Sequence, residues 1–267
     1  MLLEGIKKRG LTSFDIKILG ITLMFIDHIH EMFSAAGVPT WVDMFGRPVA
    51  TIFMFLSVEG FTHTHNKKRY LLRLLIGFWI MGIGNFVVGH FFSVGNLVLI
   101  NNIFGDLFIG VLTMYGIQML ADGFKNHQLS KASFGFFLIM LPLVLGVLLL
   151  TFMQGKMADY TTYLMLAAPT PFSAENSFFL YLGPVLYLVR NHRSWQMIAI
   201  ACFALLSTGF NFTNLLSNMQ WMMVFSIIPL SFYNGQLGKS MKGFFYGFYP
   251  LHIWGLYILA SLLGVGK

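Results

Sequence analysis

FDIKILGITLMFIDHIHE, residues 14–31, begins as an apolar membrane helix and ends in ionisable groups. Ile18 to Ile26 is almost wholly apolar, and Asp27, His28, His30 and Glu31 follow. An aspartate at the centre of a membrane helix costs roughly 2.5–3.5 kcal/mol, so a chain keeps one there for function or for pairing. The plainer reading is a polar cap where the helix leaves the lipid. The depth of His28, and what can meet it, separates the two readings.

The chain has 267 residues, 57% hydrophobic and 10% charged. A soluble domain carries about 25% charged residues, so the composition is that of a polytopic membrane protein. No linker or charged tail divides it, and residues 1–267 read as one transmembrane domain. Lys7, Lys8 and Arg9 precede an apolar run that no small-residue cleavage site closes, so no signal peptide is expected. A single cysteine, Cys202, excludes an internal disulfide and a multi-cysteine metal site. The net charge of +7 sits in short loops between apolar runs, where topology accounts for it, and nucleic acid is not expected as a partner.

A membrane span needs about 20 apolar residues. On that basis the expected fold is all-α, a polytopic transmembrane helical bundle of about nine spans, with eight to ten allowed. The nine are 14–33, 46–63, 71–92, 102–121, 133–153, 175–189, 195–213, 219–234 and 243–264. Residues 160–172 form a moderately apolar loop that can hold a tenth or re-enter. With the N-terminus cytoplasmic, fourteen Lys and Arg fall inside. Only Arg47, Lys156 and Lys267 fall outside, out of 17 in all. That is the positive-inside pattern. Counting along the helices, His28 lies 11 residues beyond Lys17, about 16 Å from the inner boundary, and His252 lies 10 beyond Lys242, about 15 Å. Glu59 lies 8 residues before Lys67, about 12 Å from the inside. Asp106 falls in the outer half of the fourth span, just after Asn101 and Asn102. Asp27, His28, Glu59, Asp106 and His252 are therefore expected to line one intramembrane cavity, with Arg47 at its outer mouth, because ionisable groups in lipid face protein or water.

Each motif has a structural and a chemical reading. Asp27, His30 and Glu31 share a helix face at i, i+3 and i+4, and His28 is expected to turn away from them, towards a substrate. An imidazole there can take a proton from an attacking amine or hydroxyl; the plain alternative is a core histidine bonded to a neighbouring helix. Gly46-Arg47-Pro48 opens a helix, with proline in its first turn. Arg47 can bind a carboxylate or developing negative charge, and Glu59 can carry a proton or meet a cation; alternatively each makes a structural ion pair. Arg47 and Glu59, about 18 Å apart along the helix, cannot pair directly. His63, Lys67, Lys68, Arg69, Tyr70 and Arg73 make the densest basic patch, suited to the phosphates of coenzyme A, although topology alone also explains it. His63-x-His65 diverges on a helix, and no metal is expected. Tyr233-Asn234-Gly235-x-x-Gly238 is a turn signal. Pro250 removes a helical N–H donor and kinks the last span beside Tyr249 and His252.

Taken together, Phe25-Ile26-Asp27-His28, Gly46-Arg47 through Glu59-Gly60-Phe61 and Thr64, Tyr70 to Leu74, Tyr233 to Gly238 and Phe248-Tyr249-Pro250-Leu251-His252 resemble the TraX family, in the family's order, over residues 14–257. One departure is Thr51, where the family favours proline; Pro48 stands earlier instead. The resemblance implies a small branch of integral-membrane acyltransferases using acetyl-CoA as acyl donor, the founding activity being acetylation of a pilin N-terminus.

The sequence therefore reads as an acetyl-CoA-dependent acyltransferase, a multi-pass protein of the cell membrane in contact with lipid. Its partners are the acyl-CoA donor and a peptide or other acceptor, amine or hydroxyl. His28 is the base, oriented by Asp27 or Asp106. Arg47, Asn102 or His252 stabilises the oxyanion. Glu59 completes the catalytic set, and Asn101, Asn102 and Tyr249 are the substrate-binding residues. Direct transfer and an acyl-histidine intermediate both remain open. The rival class is a proton-coupled transporter with an intramembrane Asp, Glu and His relay; no inverted repeat in the hydropathy supports it.

Overall fold

A computed structural model describes residues 10–154, 160–171, 180–213, 215 and 218–266. Lys7, Lys8, Arg9, Lys156, Lys267 and the first part of the sixth expected span lie outside them. The described residues are all-helical, and among them β-pairing is limited to isolated bridges. The helices are α1 (Ser13–Phe33), α2 (Arg47–His63), α3 (Lys67–Phe91), α4 (Ile103–Lys125), α5 (Leu129–Gln154), α6 (Thr161–Ala167), α7 (Leu182–Leu188), α8 (Arg193–Ser207), α9 (Ile227–Ser231) and α10 (Lys242–Leu262).

Among the described residues four stretches are long and apolar enough to cross a membrane: Thr40–His63, Lys67–Phe91, Ile103–Lys125 and Leu129–Met153. The 25 residues of α3 cover about 38 Å, more than a hydrocarbon core of about 30 Å. The outward side of α5 is large and apolar, with Phe136, Phe137, Val144 and Val147 exposed, a face that lipid covers without cost. Helices α1 and α10, with 21 residues each, also have the length, and they carry the two buried histidines.

The later spans depart from the sequence reading. Within the expected sixth span the described helix is only Leu182–Leu188, and the seventh holds the 15-residue α8, about 22 Å long. The eighth opens as a 3-10 helix, Met219–Ser226, before the five residues of α9. Residues 160–172 contain the short α6. Apolar content alone did not reveal these breaks, because hydropathy is blind to helix continuity.

The chain contacts group into two compact units. The first comprises residues 1–56, 84–99 and 189–267; the second comprises 57–83 and 100–188. Helices α2 and α3 each contribute to both.

In the first unit, α1 starts with a capping box. The Asp15 N–H donates to the Thr12 hydroxyl at 3.3 Å, and the Thr12 N–H donates to the Asp15 carboxylate at 2.8 Å. The Tyr233–Gly238 turn then clasps this helix entry. Leu11 N–H donates to the Phe232 carbonyl at 2.8 Å, and Asn234 N–H returns a bond to the Leu11 carbonyl at 2.9 Å. Ser13 and Phe14, whose N–H groups have no intrahelical acceptor in a first turn, donate to the Gln236 and Leu237 carbonyls. Gly238 holds φ +67°, and a Cβ there would lie 2.4 Å from the Thr12 hydroxyl, so the turn needs glycine on both counts.

The buried stripe of α1 is Ile16, Gly20, Met24, His28 and Met32, every fourth residue. Gly20 lets Phe53 and Ile52 of α2 approach. α1 packs on α10, which also docks on residues 84–97. Trp254 donates to the Asn85 side chain at 2.9 Å, over Gly84, where a Cβ would strike the indole at 1.9 Å. Arg193 of α8 lies 4.6 Å from the Phe55 ring and 5.2 Å from the Tyr233 ring, and donates to Gln196 at 3.1 Å. The cation thus finds aromatic faces and an amide in place of water.

In the second unit, α4 and α5 form a close hairpin. A Cβ on Gly123 would lie 2.5 Å from the Ala132 nitrogen, one on Gly135 2.5 Å from the Leu120 nitrogen, and one on Gly116 2.7 Å from the Gly135 carbonyl. Small residues bring the two backbones together, the usual basis of helix association in lipid.

Candidate active site

The centre of the first unit is a pair of imidazoles. His28 Nδ1 and His252 Nε2 are 2.8 Å apart, with the rings stacked at a centroid distance of 5.0 Å. Both residues are buried. His252 Nδ1 is 2.7 Å from the Phe248 carbonyl, one helical turn back. Phe248 stacks on His252 at 4.6 Å, Tyr249 meets both imidazoles edge-on, and Phe25 lies 6.1 Å from His252. The pair therefore sits in an aromatic sleeve.

The hydrogen bonds assign the tautomers of a neutral pair. A carbonyl only accepts, so His252 carries its proton on Nδ1 and donates to Phe248. Its Nε2 is then an acceptor, so His28 donates from Nδ1. That leaves His28 Nε2 as a lone pair, the basic nitrogen. Glu31 Oε2 lies 3.7 Å from this nitrogen. His28 does not turn away from the acidic face as the sequence reading expected: positions 28 and 31 are i and i+3, about 60° apart around the helix, and their side chains meet. Nor does Asp27 orient the ring: His252 takes one nitrogen and Glu31 approaches the other.

Asp27 faces a different neighbourhood. Its carboxyl is within hydrogen-bonding reach of Asp43 and in the field of Arg47 and Glu31. One of its oxygens is buried with no hydrogen-bond partner. The backbone at Gly46 presses on it, since a Cβ there would lie 2.2 Å from the Asp27 carboxyl carbon. Arg47 opens α2, with Pro48 in the first turn as expected, and its guanidinium is held at three points. It pairs with the Asp43 carboxylate, donates to the Asp43 carbonyl at 3.3 Å and donates to Gln220 at 3.3 Å. Asp43 and Gln220 were missed by the sequence reading. Asp43, four residues before Arg47, could have been found from i,i+4 spacing; Gln220, 173 residues away, had no local signal.

The sequence profile of the TraX protein family matches residues 13–260. The chain belongs to the TraX family. The match takes in α1, with His28, and nearly all of α10, with His252. No curated protein and no solved structure matches the chain.

The remaining candidates of this TraX-family chain lie in the second unit. Asn101, Asn102 and Asp106 are buried at the start of α4, and Asn102 donates to the Phe78 carbonyl at 3.0 Å. Glu59 lies in α2, where its carbonyl is 2.9 Å from His63 Nδ1. Asn66 caps α3, accepting from the Arg69 N–H at 2.8 Å. Lys68, Arg69 and Arg73 are exposed, as is His63, and Tyr70 packs near Gly60. Lys67 departs from the expected patch. It hydrogen-bonds to Gln118 and lies 4.7 Å from the Phe61 ring, so it joins α3 to α4 instead of pointing outward. Among the described residues no cluster of three His, Cys, Asp or Glu is arranged for a metal ion.

Proposed function

We propose that this chain is an integral-membrane acyltransferase that moves acetyl from acetyl-CoA to an amine, such as a peptide or pilin N-terminus, or to a hydroxyl acceptor. The observation that carries this reading is the His28–His252–Phe248 relay, which leaves one imidazole nitrogen as an oriented base in a buried aromatic site of a TraX-family chain. The Nε2 of His28 removes the proton of the attacking nucleophile, and His252 fixes the tautomer that makes this possible. Tyr249 lines the acceptor's approach. Arg47, tethered by Asp43 and Gln220, keeps positive charge beside Asp27.

Lys68, Arg69 and Arg73 fit the phosphates of the donor: three exposed cations at a helix N-terminus offer the charge-assisted bonds that phosphate oxygens accept. The chain sits in the cell membrane as one multi-pass domain, N-terminus in the cytoplasm, a placement supported by the apolar helices and the distribution of Lys and Arg. The test is purified protein in lipid nanodiscs given acetyl-CoA labelled in the acetyl group, with alaninamide and glycerol as acceptor probes. Release of thiol together with labelled acceptor is expected. Absence of both, in protein that retains its helical signal, would reject the activity.

A further inference from the structure

The base nitrogen of His28 faces a group that the proposed reaction has not used. Glu31 follows His28 by one helical turn, its Oε2 is 3.7 Å from His28 Nε2, and its side chain is 31% exposed against 4% for His28. The other imidazole nitrogen is committed to His252. A proton arriving on His28 therefore appears on the side of the ring that looks at a carboxylate. In the neutral pair the two groups offer each other only lone pairs, and the separation is longer than a hydrogen bond. Once Nε2 is protonated the same distance becomes an ion pair in a poorly solvated setting, where a carboxylate interacts far more strongly than in water.

We propose that Glu31 is a positioning residue whose carboxylate holds His28 in its imidazolium form during acyl transfer. This rests on the acyltransferase reading. The nucleophile's nitrogen or oxygen forms a bond to the acetyl carbon, and its proton passes to His28 Nε2. The imidazolium is held against Glu31 while the bond from the acetyl carbon to sulfur breaks. The proton then passes to the departing thiolate, giving acetylated acceptor and free coenzyme A, with His28 and Glu31 restored. His252 keeps its proton throughout, because its Nδ1–H is engaged by the Phe248 carbonyl.

The experiment compares wild type with Glu31→Ala, Glu31→Gln and Glu31→Asp, using acetyl-CoA with alaninamide and thiol release as the readout. Nitrogen NMR of labelled histidine checks that the His28–His252 bond persists in each variant. Glu31→Ala and Glu31→Gln are expected to lower kcat about 10- to 100-fold with little change in KM for acetyl-CoA, since the carboxylate acts on the base and not on the donor. Glu31→Asp should recover part of the loss. Added formate should raise the turnover of Glu31→Ala but not of wild type, since this partly exposed site admits a small carboxylate. Wild-type turnover with undiminished kcat in Glu31→Ala would overturn the role of Glu31 and leave the acyltransferase reading standing. So would a loss in which the histidine bond is also broken and formate restores nothing. A wild type that releases no thiol would reject the acyltransferase reading, and the role of Glu31 with it.

Discussion

Two helix pairings hold this molecule's two units, and they are built oppositely. α4 meets α5 through Gly116, Gly123, Gly135 and Ala132, backbone against backbone, with no room for a single added carbon. α1 meets α10 through His28 and His252, two side chains that lipid-facing helices avoid unless each polar atom is engaged. The first pairing rests on close backbone contact, with one ion pair at its partly exposed end, Lys131 to Asp122 at 3.4 Å, and its glycine seam tolerates nothing new. The second keeps a polar seam whose hydrogen bonds fix a tautomer. The contrast separates scaffold from site. Where glycine makes the contact, a substitution should cost stability; where histidine makes it, a substitution should cost chemistry.

The largest expected effect is therefore His28→Ala. Loss of a general base should reduce turnover about 10²–10⁴-fold. Affinity for acetyl-CoA, read by isothermal titration, should stay within about twofold, since the exposed cations of α3 and not this ring are assigned to the phosphates. A variant that turns over normally would make the histidine seam a packing device like its glycine counterpart, and the contrast would collapse.

Next in size is the glycine side. Gly123→Ala places a Cβ 2.5 Å from the Ala132 nitrogen, and Gly135→Ala one 2.5 Å from the Leu120 nitrogen. In both cases the clash is with backbone, which cannot rotate away. Overpacking of this kind costs about 1–3 kcal/mol, which for a chain of this size lowers Tm by about 2–4 °C per kcal/mol. Detergent-solubilised protein followed by thermal unfolding checks it. Protein that stays folded below its Tm should keep its turnover, and a loss of turnover without a loss of stability would show that the hairpin belongs to the site.

His252→Ala comes third. It removes the acceptor of the His28 Nδ1–H and the donor to the Phe248 carbonyl, so the His28 tautomer is no longer selected. An expected loss of about tenfold follows if the ring still reaches the productive tautomer part of the time. The double variant with His28→Ala should be no worse than His28→Ala alone, since residues that act as one unit are not additive. Nitrogen NMR should show His28 moving from a single tautomer to a mixture. A single unchanged tautomer in His252→Ala would mean that Glu31 or the sleeve, and not His252, orients the ring.

Much of this was legible in the sequence, and the parts that were not share a cause. The all-helical class followed from composition, and counting from Lys17 and Lys242 puts His28 and His252 at matching positions on the first and last helices, where the two rings approach to 2.8 Å. The buried stripe Ile16, Gly20, Met24, His28, Met32 was not readable, because the helix is apolar on every face from Ile18 to Ile26 and periodicity cannot single one out. The Tyr233–Gly238 turn was seen, but its role as the clasp on Leu11, Ser13 and Phe14 was not, because a pairing across more than 200 residues leaves no local trace. The short later helices were hidden for the reason that makes membrane chains easy to recognise: uniform apolar content masks where the helix stops. The i, i+1 step from Asp27 sets His28 about 100° from that carboxylate, but side chains on a helix also meet at i and i+3, and so His28 reaches Glu31.

The smallest effect, and the one that tests the reading of the basic patch, concerns four cations that the sequence grouped together and the structure divides. Lys67 bonds to Gln118 and lies over Phe61, so it belongs to the packing of α3 on α4. Lys68, Arg69 and Arg73 are exposed. Exposed charges act on an anionic ligand through solvent, each contributes little, and salt weakens them over about 8–10 Å at physiological strength. The triple variant Lys68→Gln, Arg69→Gln, Arg73→Gln is therefore expected to raise KM for acetyl-CoA only about three- to tenfold, with kcat unchanged, and to flatten the salt dependence of KM. Lys67→Gln should do the reverse, leaving KM in place and lowering Tm, since it removes a cation from an aromatic face and from an amide oxygen. If Lys67→Gln alone raises KM as much as the triple variant, the donor is held inside the α3–α4 packing and not at the exposed helix start. If neither moves KM, the patch is a topology signal, and the phosphates are held elsewhere.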